Sequence, residues 1–104
     1  MGYYALFYHV VDNFVERRAP FRAQHLAHAK RAAEEHGLVL AGALAEPADT
    51  ALIIFRGGSP DSARAFAEND PYVSSGLVKR WEVRPWNVVV GEYAELSSST
   101  KGGA

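Results

Sequence analysis

The sequence predicts an α+β fold of ferredoxin-like topology, in which one antiparallel sheet carries both helices on the same face. The predicted elements follow the order β-α-β-β-α-β, which is characteristic of this topology. A chain of 104 residues is long enough for one domain and too short for two. The first strand is largely apolar on both sides, so each face of the sheet needs a cover.

The first half of the chain begins with an aromatic and β-branched segment, residues 3–12, that predicts a strand. Residues 13–19 are rich in charge and predict a loop. Pro20 suits the first turn of a helix that continues to His36, since the segment is rich in Ala, Leu, Glu, Lys and Arg. Gly37 is placed to end that helix.

The second half contains three strands, predicted at residues 38–44, 51–55 and 77–90, with Pro85 marking an edge or a bulge in the last one. A helix is predicted over residues 60–69, and Pro71 is expected to end it. We predict one domain over residues 1–92, followed by a flexible tail at 93–104 that is rich in Ser and Gly.

Composition excludes several classes of function. The net charge is −1, from 11 basic and 12 acidic residues, so no basic excess exists to bind nucleic acid or an anionic membrane. The chain has no cysteine, which excludes disulfides, thiolate metal sites and a cysteine nucleophile and suits a reducing cytoplasm. The apolar runs are too short to span a membrane. We therefore expect a cytoplasmic protein.

Ionisable residues occupy positions where the helices should be apolar. His25 lies near the centre of the apolar stripe of the first helix, and Arg22 falls in the same arc. In the second helix, Asp70 continues the stripe set by Ala63 and its neighbours. Because the two helices of this topology run side by side, we expect His25 and Asp70 to be able to meet. An inward carboxylate needs such a partner.

Two interpretations of this pair are open. In one, Asp70 holds His25 in one tautomer and raises its basicity, His25 transfers a proton, and Arg22 binds an anionic group. In the other, the pair only fixes how one helix packs on the other. The spacing of His25 and His28 resembles that of metal ligands, but no further His or Cys completes a set, so we expect no metal and no cofactor.

Short motifs resemble those of the YCII-related (YciI-like) family over about residues 3–91. The motifs are Arg22-x-x-His25-Leu26, Gly42-x-Leu44, Asp70-Pro71-Tyr72 followed by Gly76-Leu77, and Glu82-Val83-Arg84-Pro85-Trp86. The resemblance implies a dimeric α+β barrel, two ferredoxin-like subunits packed sheet to sheet, with a catalytic His–Asp pair in each pocket. One activity of the family is the cofactor-free dehydrochlorination of a chlorinated hydroxyhydroquinone.

The chain departs from the family at two positions. Gly42-Ala43-Leu44 lacks the proline of the usual Gly-Pro-Leu, which puts the identity of the substrate in doubt. Tyr72 stands where phenylalanine is common, and its hydroxyl adds a polar group that faces either the pocket or solvent.

The sequence thus leads to a cofactor-independent lyase or isomerase that acts on a small, oxygenated cyclic substrate as a homodimer or a higher homo-oligomer. His25 and Asp70 are the expected catalytic residues, and Arg22, Tyr72 and Trp86 the expected substrate-binding ones. The alternative is a ligand-binding or accessory module without catalysis. A third hypothesis is that the chain is a haem or metal protein of the wider superfamily. Packing at the sheet or dimer interface is the competing role for Trp86.

Overall fold

A four-stranded antiparallel sheet forms the centre of the protein and confirms the predicted ferredoxin-like topology. The computed structural model describes residues 1–91. The sheet has the order β2-β3-β1-β4. Its strands are β1 (Gly2–Val10), β2 (Leu38–Ala43), β3 (Thr50–Gly57) and β4 (Val78–Trp86). The flexible tail predicted at residues 93–104 lies outside the described residues.

Within residues 1–91, four α-helices accompany the sheet: α1 (Phe14–Arg17), α2 (Arg22–Glu35), α3 (Asp61–Glu68) and α4 (Pro71–Ser74). A 3-10 turn, Ala19–Phe21, leads into α2. Within the described part of the chain, no helix is long and apolar enough to cross a membrane.

The helical turn α1 corrects the prediction of a loop at residues 13–19. Phe14 is buried, and its ring meets the Tyr72 ring edge-on at a centroid distance of 5.4 Å. The backbone N–H groups of Arg17 and Arg18 bond the carbonyls of Asn13 and Phe14, which closes the turn. Burial of one aromatic ring therefore overrides the polar composition of this segment.

Pro71 ends α3, as predicted, and also begins α4. Proline lacks an N–H group, so the first position of a helix suits it, and the preceding Asp70 takes the extended conformation that proline favours. Asp70 is therefore the N-cap of α4 and not the last turn of α3. From this N-cap position the Asp70 side chain still reaches His25 of α2.

Gly37 sets the distance between α2 and the edge of the sheet. It has a φ of 82°, a conformation that glycine adopts without strain. A Cβ at this position would collide with the carbonyl oxygen of Arg56. The Gly37 carbonyl accepts a 2.8 Å hydrogen bond from Arg56 N, so β2 begins directly beside β3.

The main core lies between the sheet and the helices. Leu6, Tyr8 and Val10 on β1 face α3, where Phe66 and Ala67 are buried. The opposite face holds a smaller cluster, in which Tyr3, Ala5 and Ile54 are buried and Phe7, Val39 and Val88 pack against them. β4 ends at Trp86 rather than at residue 90, and Val88 covers part of this second face.

Candidate functional site

The Asp70 carboxylate is the centre of the site. It is completely buried and accepts hydrogen bonds from three groups. The Tyr8 hydroxyl donates to Oδ2 at 2.7 Å, and the Tyr72 backbone N–H donates to Oδ1 at 3.0 Å. His25 Nδ1 lies 2.9 Å from Oδ1 and 3.0 Å from Oδ2. These three donors stabilise a carboxylate that has lost its water.

The carboxylate determines the tautomer of His25. An ionised carboxylate only accepts hydrogen bonds, so the ring nitrogen facing it, Nδ1, carries the proton. In the neutral ring, Nε2 is then the unprotonated nitrogen and can accept a proton. Within residues 1–91, Nε2 makes no hydrogen bond. A neutral ring in this state can take a proton at Nε2, and the adjacent Asp70 carboxylate can stabilise an imidazolium.

Tyr8 belongs to the candidate site, although the sequence did not single it out. Its burial first, and then the charge of Asp70 and the hydrogen bond to it, raise the pKa of Tyr8 well above the ordinary value. The phenol therefore stays protonated and keeps donating to Asp70. The signal that could have found it is its place on the helix-facing side of β1, because a buried tyrosine hydroxyl there needs an acceptor.

Aromatic neighbours hold the His25 ring in position. The ring stacks on Tyr72 with centroids 3.9 Å apart and planes 8° apart, and it meets Phe66 edge-on at 6.3 Å. Only 15% of the His25 side chain is exposed. The Tyr72 hydroxyl is buried and finds no hydrogen-bond partner among the described residues. The imidazole is therefore confined by packing as well as by its bond to Asp70.

A cleft of about 630 Å³ opens between α2 and β2 and reaches His25. Its volume falls within the range typical of small-molecule sites. The floor includes Tyr8, Ala51 and Ile53 of the sheet, and β2 forms one wall from Leu38 to Ala43. Gly42 and Ala43 belong to that wall, and Ala43 stands where the resemblance implies a proline. The cleft is large enough for one substituted ring.

The structure brings four of the five predicted site residues together. His25, Arg22 and Tyr72 line the cleft, and Asp70 lies behind His25. Trp86 is not with them. It pairs with Tyr3 across β1 and β4, and directly opposed residues of antiparallel strands share a face. Trp86 therefore lines a separate groove on the other side of the sheet.

His28 serves the packing of the helices and does not line the cleft. Its Nε2 lies 2.9 Å from the Phe66 carbonyl oxygen, which can only accept, so Nε2 is the donor. Its ring also stacks on Phe66 at 4.4 Å. Residues 1–91 contain no group of three or more His, Cys, Asp or Glu arranged to hold a metal ion.

The described chain has an α+β fold of ferredoxin-like topology, with a cleft beside a buried His–Asp pair. The model of the YCII-related domain family matches residues 1–87, which is most of the chain. The protein belongs to the YCII-related domain family.

Two of the solved structures that match this chain illustrate the shared fold. The 5-chloro-2-hydroxyhydroquinone dehydrochlorinase (TftG) from Burkholderia phenoliruptrix AC1100, in complex with 2,5-dihydroxybenzoquinone, matches with a TM-score of 0.66 and 20% identity. The match covers 81% of this chain and 92% of that one. A NIPSNAP family protein from Agrobacterium tumefaciens str. C58 matches with a TM-score of 0.55 and 16% identity, over 81% of this chain and 89% of that one. The comparison with curated proteins gives no match.

Proposed function

We propose that this protein is a cofactor-independent enzyme, a lyase of the dehydrochlorinase kind or an isomerase, that moves a proton on a small oxygenated cyclic substrate. The observation that carries the proposal is the state of His25. Its Nδ1–H is held by a buried carboxylate, while its Nε2 has no partner within residues 1–91 and the ring lines a cleft. That arrangement is the one a general base requires.

The proposed reaction begins when the substrate ring lies in the cleft against the stacked rings of Tyr72 and His25. His25 Nε2 takes a proton from the substrate, and the resulting imidazolium is stabilised by Asp70. Arg22, one helical turn before His25, stabilises the negative charge that develops on the substrate oxygen. In an elimination, chloride then leaves with the electron pair of its bond to carbon. In an isomerisation, the imidazolium returns the proton to another carbon.

The likeness to the dehydrochlorinase supports the substrate class. That protein was solved with an oxygenated six-membered ring, 2,5-dihydroxybenzoquinone, and it shares the fold over most of both chains. Trp86 has no part in the proposed site, because it lies on the opposite face of the sheet.

A panel of chlorinated hydroxyhydroquinones and unsaturated cyclic lactones tests the proposal. Proton NMR and chloride release are followed with the wild type, with His25→Gln, and with His28→Gln as the matched control outside the cleft. We expect turnover by the wild type and by His28→Gln, and none detectable with His25→Gln. Turnover that survives in His25→Gln rules out the proposed base, and a panel left unchanged by the wild type argues against the enzyme.

A non-catalytic ligand-binding module is the second candidate function. One observation favours it: among the described residues that line the cleft, His25 is the sole His, Asp or Glu. The same panel distinguishes the two functions, since a binding module returns a bound compound unchanged after long incubation, whereas an enzyme converts it.

We also propose that the protein is a homodimer that pairs through the second face of the sheet. A groove of about 390 Å³ on this face is lined by apolar side chains that include Phe7, Leu52 and Ile54. Trp86 borders it and is half exposed. A second copy is the proposed occupant because the same apolar sheet face on both subunits can pack against itself across a two-fold axis.

The dimer predicts a solution mass twice the 11.4 kDa of one chain, measured by sedimentation at micromolar concentration. Leu52→Glu places a charge in the apolar groove and is expected to give monomers. Val15→Glu is the matched control, because Val15 is exposed on α1 and away from the groove. A monomeric wild type, or equal dissociation by both variants, contradicts this arrangement.

A further inference from the structure

The cleft carries a local positive charge that the composition of the chain does not reveal. Arg18, Arg22 and Lys30 line it, and no Asp or Glu is among its described lining residues. The whole chain, in contrast, has a net charge of −1. A cleft lined by one sign of charge concentrates ligands of the opposite sign.

Arg18 packs against an aromatic ring at the cleft. Its guanidinium carbon lies 5.3 Å from the centre of the Phe14 ring, a cation–π distance. Phe14 meets Tyr72 edge-on, and Tyr72 stacks on His25. Arg18 is therefore connected to His25 through two rings in direct contact. It forms no ion pair with a carboxylate of residues 1–91.

The other two cations extend along the same wall. Arg22 and Lys30 are eight positions apart on α2, which corresponds to a rise of about 12 Å along the helix axis. Neither pairs with a carboxylate of the described residues. Three cations that form no ion pair with a carboxylate of residues 1–91 thus follow one side of an otherwise mostly apolar cleft.

We propose that the cleft selects organic anions of one ring, a carboxylate or an enolate, with Arg18 and Lys30 as the residues that bind the charge. The ring lies between the β2 wall and the aromatic rings around His25, and the anionic group takes charge-assisted hydrogen bonds from the cationic side. A neutral ring of the same shape cannot form these charge-assisted hydrogen bonds, so the cationic side chains stay hydrated when it binds. This inference rests on the proposed use of the His25 cleft, but it concerns binding and needs no turnover.

Matched acids and amides test the choice of ligand. Benzoate and 2,5-dihydroxybenzoate are titrated into the wild-type protein, each beside its primary amide, and binding is followed by NMR shifts of the cleft residues. We expect each acid to bind at least about tenfold more tightly than its amide, and its affinity to fall with added salt. Equal binding of acid and amide, or no binding of either acid at millimolar concentration, overturns the inference.

Charge-matched variants test the residues. Arg18→Gln and Lys30→Gln are each expected to weaken binding of the acid by about fivefold to tenfold, with little effect on the amide. Arg17→Gln and Arg31→Gln remove the same charge from neighbouring positions that do not line the cleft, and they should leave binding unchanged. Equal losses in all four variants would assign the effect to net charge and refute a site.

The binding experiments separate this inference from the proposed function. Selective binding of the acid without conversion of any panel compound leaves the anion site intact and refutes the enzyme. The opposite result is turnover of neutral compounds that requires His25 but is unaffected by Arg18→Gln or Lys30→Gln. That result refutes the anion site and leaves the proposed enzyme intact.

Discussion

Replacing Asp70 by alanine is expected to lower the free energy of unfolding by about 3–5 kcal/mol, the range for breaking a buried charged network. The substitution leaves the Tyr8 hydroxyl, the Tyr72 N–H and the His25 Nδ1–H without their acceptor. A buried donor without an acceptor costs about 1–3 kcal/mol. Relief of the buried charge offsets part of the sum. The loss is large against the 5–15 kcal/mol typical of a whole protein, taken as an order of magnitude.

Urea denaturation measures this loss, with two comparison variants. Asp61→Ala is the matched control, since the Asp61 side chain is 86% exposed and its substitution should change stability by less than about 0.5 kcal/mol. Tyr8→Phe removes one of the three donors to Asp70 and is expected to cost about 1–2 kcal/mol. If Asp70→Ala costs no more than Asp61→Ala, the buried network does not stabilise the fold as described.

Replacing Asp70 by asparagine is expected to keep the fold and to slow turnover by about 10³–10⁴-fold, the effect of placing a catalytic histidine in the wrong tautomer. The amide oxygen can still accept from Tyr72 N–H, and the amide nitrogen can donate to Tyr8. That nitrogen also faces His25 and donates to Nδ1. The imidazole then moves its proton to Nε2, and the neutral ring presents a donor to the cleft where the reaction needs a base.

The measurement is kcat on whichever panel compound the wild type converts, beside urea denaturation of the same variant. A slow but stable Asp70→Asn protein attributes the loss to the tautomer, because the fold is intact. Wild-type kcat in this variant contradicts the assigned role of Asp70. A variant as unstable as Asp70→Ala would mean that the amide does not replace the carboxylate in the network.

The periodicity of apolar residues predicted most of the fold and, within the candidate site, the pair His25 and Asp70. Strand and helix order follow from local patterns, and His25 stood out because it interrupts an apolar stripe. Asp70 was found by extending the stripe of α3, although the structure puts it in the N-cap of α4. The prediction found the correct partner because either position directs the carboxylate under α2.

The rest of the site depends on contacts between distant parts of the chain. Tyr8 and Asp70 are 62 positions apart, so the sequence indicates that a tyrosine hydroxyl on the core face of β1 needs an acceptor but not which residue supplies it. Arg18 lies at the end of the helical turn α1, a segment whose polar composition predicted a loop. The face on which Trp86 lies follows from the register of β4 on β1, which the sequence alone does not specify.

The ¹⁵N shifts of the His25 ring, measured in wild type and Asp70→Asn at a pH where the ring is neutral, show directly whether Asp70 determines the tautomer of His25. His28 is an internal reference in the same spectrum, since its Nε2 donates to the Phe66 carbonyl. We expect His25 to be protonated on Nδ1 in the wild type and on Nε2 in Asp70→Asn. A wild-type His25 protonated on Nε2, or one whose shifts do not respond to Asp70→Asn, contradicts the claim that Asp70 prepares His25 as a base.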